Sequence, residues 1–427
     1  MWALCPAVHA AAQGPTFTHD IAPILQKRCQ SCHRPGGAAP MPLLSFEDAR
    51  PWAAAMKRET SLRHMPPWHI EKGIGVQGYV DDPSLTDPEI AAIAAWADAG
   101  APRGNPGPPV PPQAAGQSGQ MRWSIGTPDL VVLSPQVIAE PLSPDWWGAL
   151  GDTATGLTED RYVAAVETME VSDTPATAVL HHAGFQAFTT AGQMDFGSIH
   201  EVGRGVEWLD PEASPLLRAG GVISFNNAHM HAPRARTTVR LAVGFKFHPR
   251  GFAPKYIRRG ITIGTPDLDV RGNEGNQVVD AFATLQQPAK LLNFEPHMHA
   301  SGSRMCLEAI WGTVRQTLTC AGFDPRWVRN YAYHSDSAPL LPRGTLLRLI
   351  GWLDTRPNPK NPYLVDPRNW TGWGSRPVDN MFMNYLSVAL LTNDQMKVEV
   401  ARRLELARQG AGELIGCLPC TLPNALD

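Results

Sequence analysis

Cys29-Gln-Ser-Cys32-His33 places two thiols three residues apart with an imidazole directly after them. This C-x-x-C-H spacing suits covalent attachment of one c-type haem: each thiol takes a vinyl group, and His33 ligates the iron from one side. The iron then needs a sixth ligand, a thioether or a second imidazole. Met65 is the candidate, in Arg63-His64-Met65-Pro66-Pro67-Trp68-His69, where two prolines stiffen the loop and can hold the sulfur toward the iron. Met41, His64 and His69 are the alternatives, and core filling is the ordinary use of such a methionine.

A second chemistry lies further along the chain. Nine of the 14 histidines follow residue 120, and six of them fall in three tight clusters: His181-His182, His229-Met-His231 and His297-Met-His299. Residues two apart on a β-strand share a face, so each His-x-His can offer two imidazoles to one metal ion. Adjacent histidines point to opposite faces, so His181 and His182 can serve one ion only where the strand bulges or ends. A single His-x-His is often a satisfied core pair, whereas three clusters in one β-rich segment point to metal. Imidazole-only sets suit zinc or copper, and a thioether in the set selects for Cu(I). The candidate thioether is Met381, in Asp379-Asn-Met381-Phe-Met383-Asn-Tyr385.

These residues need two kinds of scaffold to hold them. Thr86 and Glu89 form a capping box, Ile90, Ile93 and Trp96 recur at helical spacing, and Gly100 supplies the stop, which suits the closing helix of a small all-α cytochrome c domain. Residues 101 to 120 hold six prolines and four glycines without hydrophobic periodicity, the composition of a linker. Beyond them the chain turns to short β-branched and aromatic runs broken by Gly, Pro and Asn, such as 239–247 and 346–353, the texture of all-β sandwiches. Ser124-Ile-Gly-Thr-Pro-Asp-Leu130 recurs almost unchanged as Thr262-Ile-Gly-Thr-Pro-Asp-Leu268, 53 and 31 residues from Pro to the following histidine cluster, which suggests two β units. The chain is therefore read as multidomain: a residual signal-like segment at 1–13, the cytochrome c domain at 14–104, the linker at 105–121, and two all-β sandwich domains at 122–260 and 261–427.

Composition bounds the setting. With 427 residues, 43% hydrophobic, 18% charged and a net charge of −3, the chain has apolar mass for two or three cores and no basic excess pointing to nucleic acid. No stretch approaches the roughly 20 apolar residues needed to span a bilayer. The first dozen residues are apolar and end in small side chains like the tail of a secretory signal, without its basic n-region. Haem attachment at C-x-x-C-H takes place outside the bacterial cytoplasmic membrane, so the expected compartment is periplasmic or secreted. With Cys29 and Cys32 assigned to haem and Cys5 in the leader, Cys306, Cys320, Cys417 and Cys420 remain as an even set. Disulfides Cys306 with Cys320 and Cys417 with Cys420 are expected, out of three possible pairings; a redox-active Cys417-Leu-Pro-Cys420 is the alternative.

The ordered set His-His, His, His-x-His, Asp-x-Met resembles the copper type II, ascorbate-dependent monooxygenases, the group of peptidylglycine α-hydroxylating and dopamine β-hydroxylating enzymes. The resemblance spans roughly residues 122 to 390 and is similar to bacterial members fused to a cytochrome c. Glu295-Pro-His-Met-His-Ala-Ser-Gly302, Phe323-Asp-Pro-Arg-Trp327, Leu341-Pro-Arg-Gly-Thr345 and Asn358-Pro-Lys-Asn-Pro362 add to it. The resemblance implies two jelly-roll domains with one copper each. His181, His182 and His229 would hold the electron-transfer copper, with His231 as the alternative to His229. His297, His299 and Met381, with Met383 as fallback, would hold the copper where dioxygen is activated and a substrate C–H bond is attacked. Two imidazoles and a thioether favour Cu(I) and leave a position open. Each turnover needs two electrons beyond those of the C–H bond, so an external donor must refill both coppers, and the haem at His33 and Met65 is the expected inlet. A tethered donor domain raises its own local concentration at the acceptor.

The peptide-amidating enzymes carry an arginine two residues before the His-x-His pair that grips a substrate carboxylate; Glu295 stands there in this chain, which argues against a carboxylate-bearing peptide and for another small organic substrate. Tyr385 matches a family substrate-contact tyrosine, or is a half-buried strand tyrosine. Two other classes compete: a copper-binding or electron-transfer protein without monooxygenase activity, and a zinc hydrolase on a β scaffold, for which a haem has no use.

Overall fold

The computed structural model describes residues 14–34, 39, 41–105, 123–173, 179–201, 204, 206–325, 327–358, 361, 364, 370–374, 376 and 378–421. The signal-like segment with Cys5, all of the assigned linker but residue 105, and Arg326, Pro359, Lys360 and Pro362 of the family-like segments lie outside the described residues. The chain divides into two units: Met1–Trp68 with Asp82–Gln120, and His69–Asp81 with Met121–Asp427.

The first unit is built from the short helices Ala22–Arg28, Phe46–Ala49, Ala53–Ser61 and Asp87–Asp98. Asp87–Asp98 starts where the capping box places it: the Glu89 amide donates to Thr86 Oγ1, and the Thr86 amide to Glu89 Oε2 at 2.8 Å. Ile93 and Trp96, three apart on its inner face, pack with Phe17, Ile21, Leu25 and Leu43. Gly100 ends it at φ +82°, a left-handed conformation that costs glycine little.

The expected fold class, a small all-α cytochrome c domain followed by two jelly-roll sandwiches, is corrected. Strand makes up 39% of the described residues and helix 17%, and the helices are short, so no separate all-α cytochrome c fold is evident among them. Within 14–104 the segment Ile70–Gly75 is a strand of the second unit, antiparallel to Val314–Gly322. Its sequence does not alternate cleanly, yet Ile70, Val76 and Tyr79 are all buried against that unit. Glu71 receives Arg304 through both carboxylate oxygens, and the Tyr79 hydroxyl meets Thr319 Oγ1 at 2.9 Å. Gly75, at φ +67°, passes so close to the Leu318 carbonyl that a Cβ would sit 2.2 Å from its oxygen. Residues assigned to the 14–104 domain therefore find burial at a sheet edge of the second unit, a long-range pairing that local patterning does not carry.

The second unit holds four main sheets. Two enclose one core: Leu216–Leu217, Arg161–Ser172, Thr237–Phe247 and Leu130–Leu133 form one, with Val137–Ala139 and Glu207–Trp208 alongside. Trp146–Gly148, Val222–Met230, Leu180–Phe188 and Met194–Glu201 form the other, with Gly151–Ala154. Phe185, Ile223, Phe225, Leu241, Val243 and Phe245 fill the space between them from alternate strand positions.

The other two sheets are Ile70–Gly75, Val314–Gly322, Gly302–Trp311, Leu346–Leu353 and Gln277–Thr284, and Ile257–Gly264, Phe382–Leu390, Ala289–Leu291 and Leu340–Leu341 with Pro296–Met298. Phe382 packs on Gly351, where a Cβ would come within 2.5 Å of its ring, so the glycine admits the aromatic that anchors the strand start. The echo is not reproduced as structure: 124–129 is a turn leading into Leu130–Leu133, whereas Thr262 to Gly264 closes the strand Ile257–Gly264. Disulfides join Cys306 to Cys320, direct cross-strand partners, and Cys417 to Cys420. Both pairings are those expected, and they are compatible with an extracellular setting. Among the described residues no helix is long and apolar enough to cross a membrane.

Candidate metal centres

Three imidazoles converge at one end of the first pair of sheets. Leu180–Phe188 supplies His181 and His182, and Val222–Met230 supplies His229, whose direct cross-strand partner is His182. The ladder is irregular on both sides of His229, with Asn227 at φ +46° as the extra residue. The second irregularity, between the His182–His229 and Leu180–Met230 pairs, leaves His181 as an extra residue in its own strand, the bulge that adjacent histidines require. One nitrogen from each of His181, His182 and His229 lies within 4.8 Å of the others. The His182 Nδ1–H donates to the Asn227 carbonyl at 2.8 Å, leaving Nε2 as its lone-pair nitrogen. The His229 Nε2–H donates to Asp145 Oδ2 at 3.0 Å, and the ring stacks on Trp147 at 4.3 Å. Its Nδ1 is buried and has no hydrogen-bond partner, as a nitrogen reserved for a metal would be.

His297 and His299 flank Met298, which is buried in the core, so the two imidazoles share the opposite face, 5.5 Å apart. His297 pairs with Met383 and Met298 with Phe382, where the ladder ends, and His299 and Met381 are the next residue beyond it on each side. Phe382 points into the core, so Met383 and Tyr385, at alternate positions of the strand, lie on the histidine face. The His299 Nδ1–H donates to the Asp379 carbonyl at 3.2 Å, and Arg376 holds the Asp379 carboxylate at 2.7 and 2.9 Å. No His, Cys, Asp or Glu completes a set of three here among the described residues. Tyr385 donates its hydroxyl to Met383 Sδ at 3.5 Å, and its ring lies 5.9 Å from His297.

Burial lowers every one of these imidazoles: His181 and His297 to about 3, His182 to about 4, His229 and His299 in the same direction. They are neutral at physiological pH, the form that binds metal. His182 also lies within electrostatic range of His297 and His299. Half-buried His200, lowered to about 4 by desolvation and bonded to Thr168 Oγ1 at 2.9 Å, lies within electrostatic range of His181. In the unfolded chain these side chains take up protons near 6.5, whereas in the fold they resist until pH 3–4. The unfolded state therefore binds more protons between those limits, and the metal-free protein is expected to lose stability as pH falls below 6.5, by up to about 2 kcal/mol per imidazole at pH 5. Urea unfolding in chelator at pH 7.5 and pH 5 checks this; equal midpoints would contradict it.

Between the clusters lies a buried ion network that sequence reasoning missed. Arg204 donates to both oxygens of Glu295, at 2.7 and 3.2 Å, and to Glu207 Oε1 at 2.8 Å. Glu201, the cross-strand partner of His182, lies 3.9 Å from Arg204 and is pushed up to about 8 by burial, so it holds a proton at neutral pH. The expectation that Glu295 repels a substrate carboxylate is corrected: its charge is taken up by Arg204. Arg204→Met leaves Glu207 and Glu295 buried without their cation and is expected to destabilise the fold by about 3–5 kcal/mol, read as a shift in the urea midpoint; an unchanged midpoint would show the pairing to be dispensable. Nothing in the local sequence marks Arg204. Asp145 carried one weak signal, its place before the Trp146-Trp147 pair.

In the first unit Cys29 and Cys32 are free thiols one helical turn apart at the end of Ala22–Arg28, with the His33 amide bonded to the Cys29 carbonyl. Burial pushes the Cys29 thiol up to about 12. The His33 Nδ1–H donates to the Met41 carbonyl at 3.1 Å, which leaves Nε2 to meet an iron. Met65 is 43% exposed, and His64 pairs with Glu59. His69 belongs to the second unit.

No protein-family model matches the chain, and no curated protein matches it. Among solved structures it is similar to the major capsid protein P2 of bacteriophage PM2, at 7% identity and TM-score 0.27, over 61% of this chain and 99% of that one. It is also similar to the VP2 subviral particle of infectious bursal disease virus, at 9% and 0.20 over 63% and 74%, and to oxalate decarboxylase of Bacillus subtilis, at 8% and 0.12 over 67% and 86%. Likenesses this distant carry no argument about fold or function, so the functional reading rests on the residues themselves.

Proposed function

We propose that this chain is an exported, copper-dependent monooxygenase that hydroxylates a C–H bond of a small organic substrate with dioxygen, supplied with electrons through a c-type haem on Cys29, Cys32 and His33. The observation that carries the reading is the presence of two unlike histidine sets in one unit: His181, His182 and His229 gathered by a bulged ladder, and His297 and His299 beside the strand that begins just after Met381. Neutral, carbonyl-oriented imidazoles fit copper or zinc, and the thioether option tilts the second set toward Cu(I). Copper bound there would supply one-electron redox chemistry and an open position for dioxygen.

The chain's own residues would do the rest. Asp145 holds the His229 tautomer, the Asn227 and Asp379 carbonyls orient His182 and His299, and Tyr385, beside His297, lies where a substrate would make contact. Two imidazoles with a methionine serve oxygen chemistry better than zinc hydrolysis, which calls for a carboxylate base beside the metal. Elemental analysis with optical spectroscopy of the purified protein tests the assignment: two coppers and one low-spin haem per chain are expected, and zinc in place of copper would overturn it. Met381→Ala should then stop oxygen-dependent product formation while the haem spectrum stays intact; undiminished product formation would exclude Met381 as a ligand.

A further inference from the structure

Beside the three-imidazole set stands a second group of donors that shares one of its members. Asp145 Oδ2 lies 3.0 Å from His229 Nε2 and 3.1 Å from His231 Nδ1, and one donor atom from each of the three residues lies within 4.8 Å of the others. Donors held about 2.0–2.2 Å from a tetrahedral ion stand roughly 3.3 Å from one another, so these separations already approach those of a ligand set. One carboxylate and two imidazoles suit a borderline divalent ion such as Zn(II) or Cu(II). The side chains of Asp145 and His231 are 39% and 34% exposed, whereas His229 is fully buried, so the group runs from solvent to the inner set.

We infer that Asp145, His229 and His231 form an outer metal site through which a divalent ion reaches the inner set of His181, His182 and His229. The inference rests on the inner set being a metal site. A neutral imidazole ligates through one nitrogen and carries its proton on the other. With an ion at the outer site, His229 binds through Nε2 and its proton sits on Nδ1. With the ion inside, Nδ1 binds and the Nε2–H returns to Asp145 as the hydrogen bond seen in the bare chain. The shared ring thus allows one ion at a time, and passage inward needs only the movement of one proton between its two nitrogens, with no net change in charge. His181, whose ring lies 5.2 Å from that of His231 and 5.1 Å from that of His229, borders both positions.

Equilibrium dialysis of the full chain against Zn(II), followed by elemental analysis, tests this with His182→Asn, His231→Ala and the double variant. Each single variant keeps one complete set and is expected to hold as many ions as the unaltered chain; the double variant is expected to hold one fewer. If His182→Asn alone loses the ion, the outer set does not bind and the inference falls while the inner set stands. If His231→Ala alone loses it, the inner set itself is not a site. Near-UV circular dichroism confirms folding of each variant, and His181→Asn with and without His231→Ala repeats the comparison should His182→Asn not fold.

Discussion

Replacing His299 by alanine is expected to lower the copper content of the purified protein from two ions per chain to one, and to abolish oxygen-dependent product formation while the fold and haem spectrum are retained. His299 stands next to the end of the strand Pro296–Met298, with its Nδ1–H committed to the Asp379 carbonyl, so its removal takes one Nε2 donor and leaves the ladder to Phe382–Leu390 intact. Without it the face retains one imidazole and the thioethers. Structural sites of three or four ligands are held by roughly 10–16 kcal/mol, so one ligand is worth about 3 kcal/mol or more, over a hundredfold in affinity. His334→Ala, an exposed histidine outside both clusters, is the matched control and should change nothing. Two coppers retained in the His299 variant, by elemental analysis and electron paramagnetic resonance, would remove His299 from the ligand set.

Changing both Cys29 and Cys32 to alanine is expected to eliminate covalent haem altogether. Thioether bonds are the only covalent hold that C-x-x-C-H offers, and His33 alone, oriented by the Met41 carbonyl, would retain haem no better than any exchangeable axial ligand. The variant should show no haem after denaturing extraction, whereas copper in the second unit, which shares no ligand with the motif, should be unchanged. Haem that survives extraction would mean that attachment lies elsewhere. Met65→Ala acts more weakly: covalent haem stays, and the loss of a thioether ligand appears as a shift of its spectrum and a lower potential.

Local chemistry was legible in the sequence and long-range chemistry was not. The capping box of Thr86 and Glu89 located a helix because its partners are three residues apart, and His297-Met-His299 declared a shared face because strand alternation is local. Counting gave an even set of four cysteines with three possible pairings, of which the expected one is present. The convergence of His181 and His182 depends on irregular pairing with the strand that carries His229, over 40 residues away, and no pattern within the histidine pair announces it. Arg204 and Asp145 act on residues 91 and 84 positions distant. Ile70–Gly75 was lost for the same reason: its pairing partner lies across the whole first sandwich in sequence, so a segment inside an apparently helical region reads as more of that region. Glu295 was misread because its partner, Arg204, was invisible.

The central claim is oxygen insertion into a substrate C–H bond, and isotopic labelling tests it most directly. The fully reduced protein, loaded with copper and haem, is mixed with candidate substrates under 18O2, and haem reoxidation is followed together with the mass of the product. Reoxidation that requires both oxygen and one class of compound, with a single 18O atom in the product and none from labelled water, is the predicted result. Reoxidation by oxygen alone at the same rate with every compound, and no labelled product, would contradict it.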